Sequence, residues 1–235
     1  MNEVKLSKRL EEVVREIPAG STVADIGSDH AYLPCYAIVN HIATKAVAGE
    51  VVDGPFRSAQ ATVAENGLQG KIDVRKGNGL AVISPGEVDV ITIAGMGGAL
   101  IRDILESGKE KLNGVTRLIL QPNIAAHHIR EWFIENDWEL IREKIVKEDG
   151  KIYEILVGER GNPLAPYSDR KQAELLIGPF LMKEKSDVFI EKWECELKNF
   201  QNILKQLERA TESEDTKAKR NEVMEKMKMV GDVLS

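Results

Sequence analysis

Residues 22–34, TVADIGSDHAYLP, constrain the fold more than any other stretch of the chain. Val23, Ala24 and Ile26 form a short apolar strand that carries Asp25 toward its end. Gly27 breaks that strand into Ser28-Asp29-His30, and a helical run follows from Ala31. Strand, tight glycine turn and helix make the first βα turn of a nucleotide-binding α/β sheet, whose ligands sit outside the carboxyl ends of the strands. Glycine suits the turn because it adopts unusual φ/ψ freely and lets the backbone approach a ligand. A dinucleotide site is disfavoured: GSDHAY lacks the G-x-G-x-x-G pattern, and a diphosphate seeks bare amides at a helix N-terminus. Carboxylates at Asp25 and Asp29 repel phosphate and suit a cation, which points to S-adenosylmethionine with its sulfonium. Ser28 and Asp29 are also the residues of an ordinary capped surface turn, so this stretch alone leaves that alternative open.

The rest of the chain extends the same alternation. Residues 3–16 read as an amphipathic helix, stopped by Pro18-Ala19-Gly20-Ser21. Strands are expected at 44–49, 72–75, 88–94 and 116–120, and helices at 31–40, 53–66, from about 99, and at 124–136. Segments 138–146 and 152–158 flank Asp149-Gly150, a hairpin dipeptide. The expected fold is therefore α/β, a mostly parallel sheet with an antiparallel edge strand. The boundaries predicted are a sheet domain over 1–160, a Pro/Gly linker over 161–167 (GNPLAPY) and a helical extension over 168–235. In the extension, Phe189, Trp193, Leu197, Phe200, Leu204 and Leu207 form one apolar seam, and Val223, Met227, Val230 and Leu234 a second, either side of polar Thr211–Lys217. Two helices in a coiled-coil hairpin are predicted.

Composition excludes little. A net charge of −6 does not announce a nucleic-acid binder, but phosphate binding depends on a local patch rather than the sum. Lys8, Arg9, Arg57, Lys71, Arg75 and Lys76 are candidates for such contacts. No run is long enough to span a bilayer, and the polar N-terminus does not read as a signal peptide, so a cytoplasmic protein without membrane contact is expected. Cys35 and Cys195 are expected as free thiols. His127 and His128 lie in a helix without metal-type neighbours, and no metal is assigned.

Four strand ends converge on one crevice. Besides the first turn they are Gly49-Glu50, Gly77-Asn78-Gly79 and Ala94-Gly95-Met96-Gly97. An acidic residue ending the second strand, about 20 residues beyond the glycine turn, can take both hydroxyls of a ribose; Glu50 stands there. Asn78 can meet the amine and ring nitrogen of an adenine, although Asn between glycines also describes a plain turn.

In that order, ADIGSDHAYLP, AGEVVDGPF, GNGL, TIAGMGG and LILQPN resemble the bacterial tRNA (adenine-22-N1)-methyltransferase (TrmK) family over nearly the whole chain. The resemblance implies a class I methyltransferase, Rossmann-like domain with a C-terminal coiled-coil extension. It implies S-adenosyl-L-methionine as cofactor and tRNA as substrate, with methyl transfer to N1 of adenine 22. Asp25, Gly27, Ser28, His30, Glu50, Val51, Asn78, Gly79, Ala94, Gly95 and Met96 would bind the cofactor. Asp29 would take the proton or steady the charge that develops on the base, with Asn123 positioning it. The family commonly carries aspartate in place of Asn78; asparagine can still accept from an amine and donate to a ring nitrogen. A monomer or weak dimer is expected, with the helical hairpin gripping tRNA. The sheet-edge motifs equally fit a methyltransferase of small molecules or proteins, and Asn78 leaves room for a non-catalytic RNA-binding protein.

Overall fold

The computed structural model describes residues 5–209 and 211–235, so positions 3 and 4 of the first expected helix lie outside the described residues. It divides into two compact units, residues 1–165 and 166–235. The first is a seven-stranded sheet in the order β3-β2-β1-β4-β5-β7-β6. Its strands are β1 (Ser21–Ile26), β2 (Ala43–Glu50), β3 (Ile72–Lys76), β4 (Val90–Gly97), β5 (Arg117–Ile124), β6 (Trp138–Glu148) and β7 (Lys151–Arg160). Strands β1 to β5 run parallel, and β7 pairs antiparallel with both β5 and β6. The helices of this unit are α1 (Lys8–Arg15), α2 (Tyr32–Val39), α3 (Asp53–Glu65), α4 (Gly98–Ser107) and α5 (His127–Glu135).

Sequence explains the layout. Val90, Ile91, Ile93, Leu118, Ile119 and Leu120 are all buried, as a parallel sheet covered on both faces requires. Asp149 (φ 49°) and Gly150 (φ 74°) both turn left-handed, the backbone of a type I′ hairpin that joins β6 to β7. Helix α1 begins at Lys8 because the Ser7 hydroxyl accepts from the Leu10 amide at 3.3 Å. Helix α5 is fastened to the hairpin by a buried triad: Arg130 Nε donates to Glu143 at 2.7 Å and its Nη2 to Glu154 at 2.5 Å. Strand order reverses at β1, which lies between β2 and β4, so the crevice opens above the carboxyl ends of those three strands.

Several boundaries differ from expectation: the first helix, expected over 3–16, begins at Lys8, and the strand expected from 88 begins at Val90. The helix expected at 124–136 starts only at His127, because Ile124 still pairs with Gly97 as the last residue of β5. The glycine run after β4 is likewise strand as far as Gly97.

The second unit contains the expected two-helix hairpin, formed by its two long helices, and adds two short helices before it that were not expected, making four among the described residues. They are α6 (Lys171–Ile177), α7 (Pro179–Glu184), α8 (Asp187–Arg209) and α9 (Glu214–Leu234). Gly178 at φ 108° stops α6, Pro179 starts α7, and Lys185 at φ 47° ends it. Helices α8 and α9 pack on each other and bury Phe189, Trp193, Val223 and Val230. The polar break is shorter than 211–217, since Ser213 caps α9 by accepting from the Thr216 amide at 3.1 Å. Cys35 and Cys195 are both free thiols, the first buried and the second exposed. Among the described residues no helix is long and apolar enough to cross a membrane, and no group of three or more His, Cys, Asp or Glu is arranged to hold a metal ion.

Candidate active site

The turn after β1 is built from left-handed backbone. Gly27 (φ 71°), Asp29 (φ 55°) and Ala31 (φ 56°) alternate with Ser28 and His30. Aspartate tolerates this region, but alanine there is strained by roughly 1 kcal/mol or more. The strain is held by β2. The amides of Gly27 and Ser28 both donate to the Gly49 carbonyl, at 2.9 and 3.2 Å, and the Asp29 amide donates to the Glu50 carboxylate. Gly27 is required by its φ; a Cβ there would also press on the flexible end of Met96, at 2.2 Å from its Cε.

Asp25 and Glu50 are sunk in the sheet edge. Asp25 accepts from the Ser28 hydroxyl and from Thr92 Oγ1, each at 2.6 Å. Burial pushes its carboxyl above the ordinary range, and those two hydrogen bonds pull it partly back. Glu50, 6% exposed, is raised as well: first by burial, then by the charges of Asp29 and Asp25, with the Asp29 amide and His30 opposing. Buried carboxylates that resist ionisation, side by side in a cleft, are what a cationic ligand would relieve. Val51, next to Glu50, leaves its side chain 57% exposed at the strand end.

The other wall is a hydrogen-bonded brace around Gly95 (φ 81°). Its amide donates to Gln121 Oε1 at 3.1 Å, and its carbonyl accepts from Asn123 Nδ2 at 2.7 Å. Gln121 Oε1 also accepts from Arg9, whose guanidinium lies 5.3 Å over the Tyr153 ring. Next to it, Gly98 touches the chain after β5: a Cβ there would lie 2.1 Å from the Ala125 carbonyl oxygen. Between the two walls is a cavity of about 300 Å³ lined by Arg9, Asp25, Ser28, Asp29, Tyr32 and Met96, among others. A larger cavity, about 390 Å³, opens among Thr22, Lys45, Asp73 and Glu87 at the amino ends of the strands, away from this chemistry.

Of the residues predicted from sequence, Asp25, Gly27, Ser28, Asp29, Ala94, Gly95 and Met96 line the one cavity. Asn123 adjoins it through Gly95, and Glu50 through the Asp29 amide. His30 sits at the turn with its Nε2 3.6 Å from Asp29 Oδ1 and its ring stacked on Tyr32. Asn78 is exposed beyond β3, where its extended backbone leads into the 3₁₀ turn begun by Gly79. Sequence reasoning did not single out Thr92, Gln121 or Tyr32, and it offered Arg9 only as a surface cation. Thr92 and Gln121 did carry a signal, each a polar side chain within an apolar strand. Of the other phosphate candidates, Arg75 is engaged by Asp73 and Glu87 and Lys76 by Asp53.

Comparison with known proteins adds the rest. The family model described as tRNA (adenine(22)-N(1))-methyltransferase matches residues 23–232. The chain is 54% identical to the Bacillus subtilis tRNA (adenine(22)-N(1))-methyltransferase, over 100% of its own length and 99% of the relative's. Its structure is similar to the crystal structure of the B. subtilis M1A22 tRNA methyltransferase TrmK (TM-score 0.94, 53% identity, 99% of this chain and 100% of that one). It also resembles M. capricolum TrmK in complex with the natural cofactor product S-adenosyl-homocysteine (TM-score 0.81, 28% identity, 98% and 99% covered).

Proposed function

Since the chain belongs to the tRNA (adenine(22)-N(1))-methyltransferase family, we propose that the crevice between Asp25, Glu50 and Gly95 is where it seats its cofactor and the target base. It is an enzyme that transfers a methyl group from S-adenosylmethionine to N1 of adenine 22 in tRNA. The observation that carries the proposed seat is the left-handed turn at Gly27–Ala31, fixed by the end of β2 and set over two carboxylates that burial keeps reluctant to ionise.

The donor set fits the cofactor. S-adenosylmethionine brings a positive sulfur and a ribose diol; the crevice offers buried acids and bare backbone at Gly27 and Gly95, both held at positive φ. In this assignment Glu50 accepts from the ribose hydroxyls, while Val51, Asn78 and Gly79 border the cofactor's adenine. Asp25 holds Ser28 and Thr92 and lends its charge from beneath; Ser28, His30, Ala94 and Met96 shape the walls. When bound, the cofactor would supply an electrophilic methyl group for transfer to a base nitrogen. That nitrogen already carries its lone pair, so alignment rather than nucleophile activation supplies most of the rate. Asp29, with its side chain 75% exposed toward the cavity mouth, steadies the cationic methylated ring and takes the amine proton. Asn123 acts through Gly95: one amide hydrogen holds that carbonyl, which fixes the wall against which the base lies.

We further propose that the helical unit over 168–235 contributes to tRNA binding, and that the protein works in the cytoplasm as a monomer or weak dimer. The test is nucleoside mass spectrometry of tRNA incubated with the protein and isotopically labelled cofactor. Labelled 1-methyladenosine at position 22 is expected; its absence, or label at another position, overturns the assignment.

A further inference from the structure

Ile124 stands at the carboxyl edge of the sheet with 72% of its surface exposed, the most open of the large apolar side chains among the described residues. Local structure fixes it there. Its backbone pairs with Gly97, and the Gly97 Cα faces Ile124 Cγ1 closely enough that a Cβ would lie 3.9 Å away. The preceding residue, Asn123, is tied to the Gly95 carbonyl at 2.7 Å. The following one, Ala125, holds a left-handed φ of 57°, and its carbonyl is pressed against Gly98. Alanine in that region is disfavoured, so the outward pose of Ile124 is maintained against a local cost, as is common at functional sites. Leu100, two residues past Gly98 in the first turn of α4, is also half exposed. A rigid apolar prong therefore flanks the cavity, next to the residue that braces its wall, and does not itself line it.

N1 of adenine lies on the base-pairing edge, so the target must leave its stack before the cavity can receive it. Leaving opens a gap between neighbouring bases, and proteins that distort nucleic acids commonly fill such gaps with an inserted Ile, Leu, Met or Phe. We propose that Ile124 is the wedge that enters the tRNA base stack as adenine 22 swings into the cavity. The proposal rests on the assigned activity and adds to it a positioning residue that acts on the substrate's conformation and not on the methyl transfer itself.

The experiment compares parent protein, Ile124→Ala and Ile124→Met on two transcripts. One is intact tRNA; in the other the nucleotide facing adenine 22 is an abasic unit, so that the base is already loosened. Removing three side-chain carbons from a buried wedge predicts a fall in kcat/KM of roughly tenfold or more for Ile124→Ala on intact tRNA. On the abasic-partner transcript the fall is about twofold at most, and Ile124→Met stays close to the parent on both. Calorimetric affinity for S-adenosylmethionine is unchanged in either variant. With 2-aminopurine at position 22, the fluorescence rise on binding parent protein is diminished for Ile124→Ala. Equal losses on the two transcripts, no loss on either, or a loss of cofactor affinity in the variant overturns the wedge. Failure of the parent itself to bind cofactor or to form 1-methyladenosine strikes instead at the assigned activity.

Discussion

Replacing Glu50 by glutamine separates binding from folding in this site. The carboxylate accepts from the Asp29 amide and, in the assigned role, from two ribose hydroxyls. A hydrogen bond to a charged acceptor contributes ~1.5–3 kcal/mol against ~1 for a neutral one. Glutamine keeps one carbonyl acceptor and loses the charge, so cofactor affinity is expected to fall by about 2–3 kcal/mol, roughly 30- to 150-fold in Kd. Folding responds in the opposite sense. Burial and the charges of Asp29 and Asp25 already make ionised Glu50 unfavourable, and the Glu50→Gln carbonyl can still receive the Asp29 amide. The melting temperature should therefore hold or rise slightly, whereas Glu50→Ala, which orphans that amide, should lower it by about 2–6 °C. Isothermal titration with S-adenosylmethionine and a thermal melt read the two effects. A Kd within threefold of the parent for Glu50→Gln, or a melting temperature that falls along with affinity, would refute the reasoning and leave Glu50 as a structural cap.

Three further outcomes follow from the same site and its surroundings. Asp25 and Glu50 both have folded pKa values raised above their ordinary 3.8 and 4.5, so the folded protein binds these protons more tightly than the unfolded chain. Their ionisation weakens folding above the folded pKa, and that penalty is relieved as the pH falls through it; affinity for a cationic ligand falls over the same range, beginning above pH 4.5. Titration calorimetry should find this dependence flattened in Glu50→Gln, and an identical slope in both proteins would contradict it. Gly98→Ala drives a methyl group into the Ala125 backbone at 2.1 Å, where nothing flexible can yield, and should cost about 3 kcal/mol by denaturant unfolding; an unshifted midpoint would show that the corner is slack. Arg130→Met leaves Glu143 and Glu154 buried without their cation and should cost about 3–5 kcal/mol, measured in the same way, with a loss below about 1 kcal/mol counting against the charged triad.

Local chemistry made much of this legible in advance. An apolar run ending in Asp25-Ile26-Gly27, the VDVITIA strand and the Asp149-Gly150 turn each carry their structure within a few residues, and β1, β4 and the β6–β7 hairpin stand where those signals put them. Pairing overrode periodicity at Ile124: IAAHHIREWFIE scans as continuous helix, yet the ladder to Gly97 keeps its first residue extended. The short helices α6 and α7 were hidden because Gly178-Pro179 punctuates a stretch that otherwise reads as one helical segment. In the site, the cofactor-side turn could be read because one segment of chain supplies it. The brace of Arg9, Gln121 and Gly95 could not, because Arg9 comes from a helix 112 positions earlier in the chain than Gln121. No local pattern announces that meeting. The left-handed Ala31 was equally hidden, since alanine beside a helix start argues for helix rather than strain.

Three successive amides, those of Gly27, Ser28 and Asp29, are all committed to the last two residues of β2. The GSDH loop is therefore not a portable cassette. Its shape belongs jointly to two strings of sequence more than twenty residues apart, and transplanting it into another methyltransferase without the matching Gly-Glu terminus would deliver the letters without the curve. Divergence at either string should be tolerated only when the other changes with it.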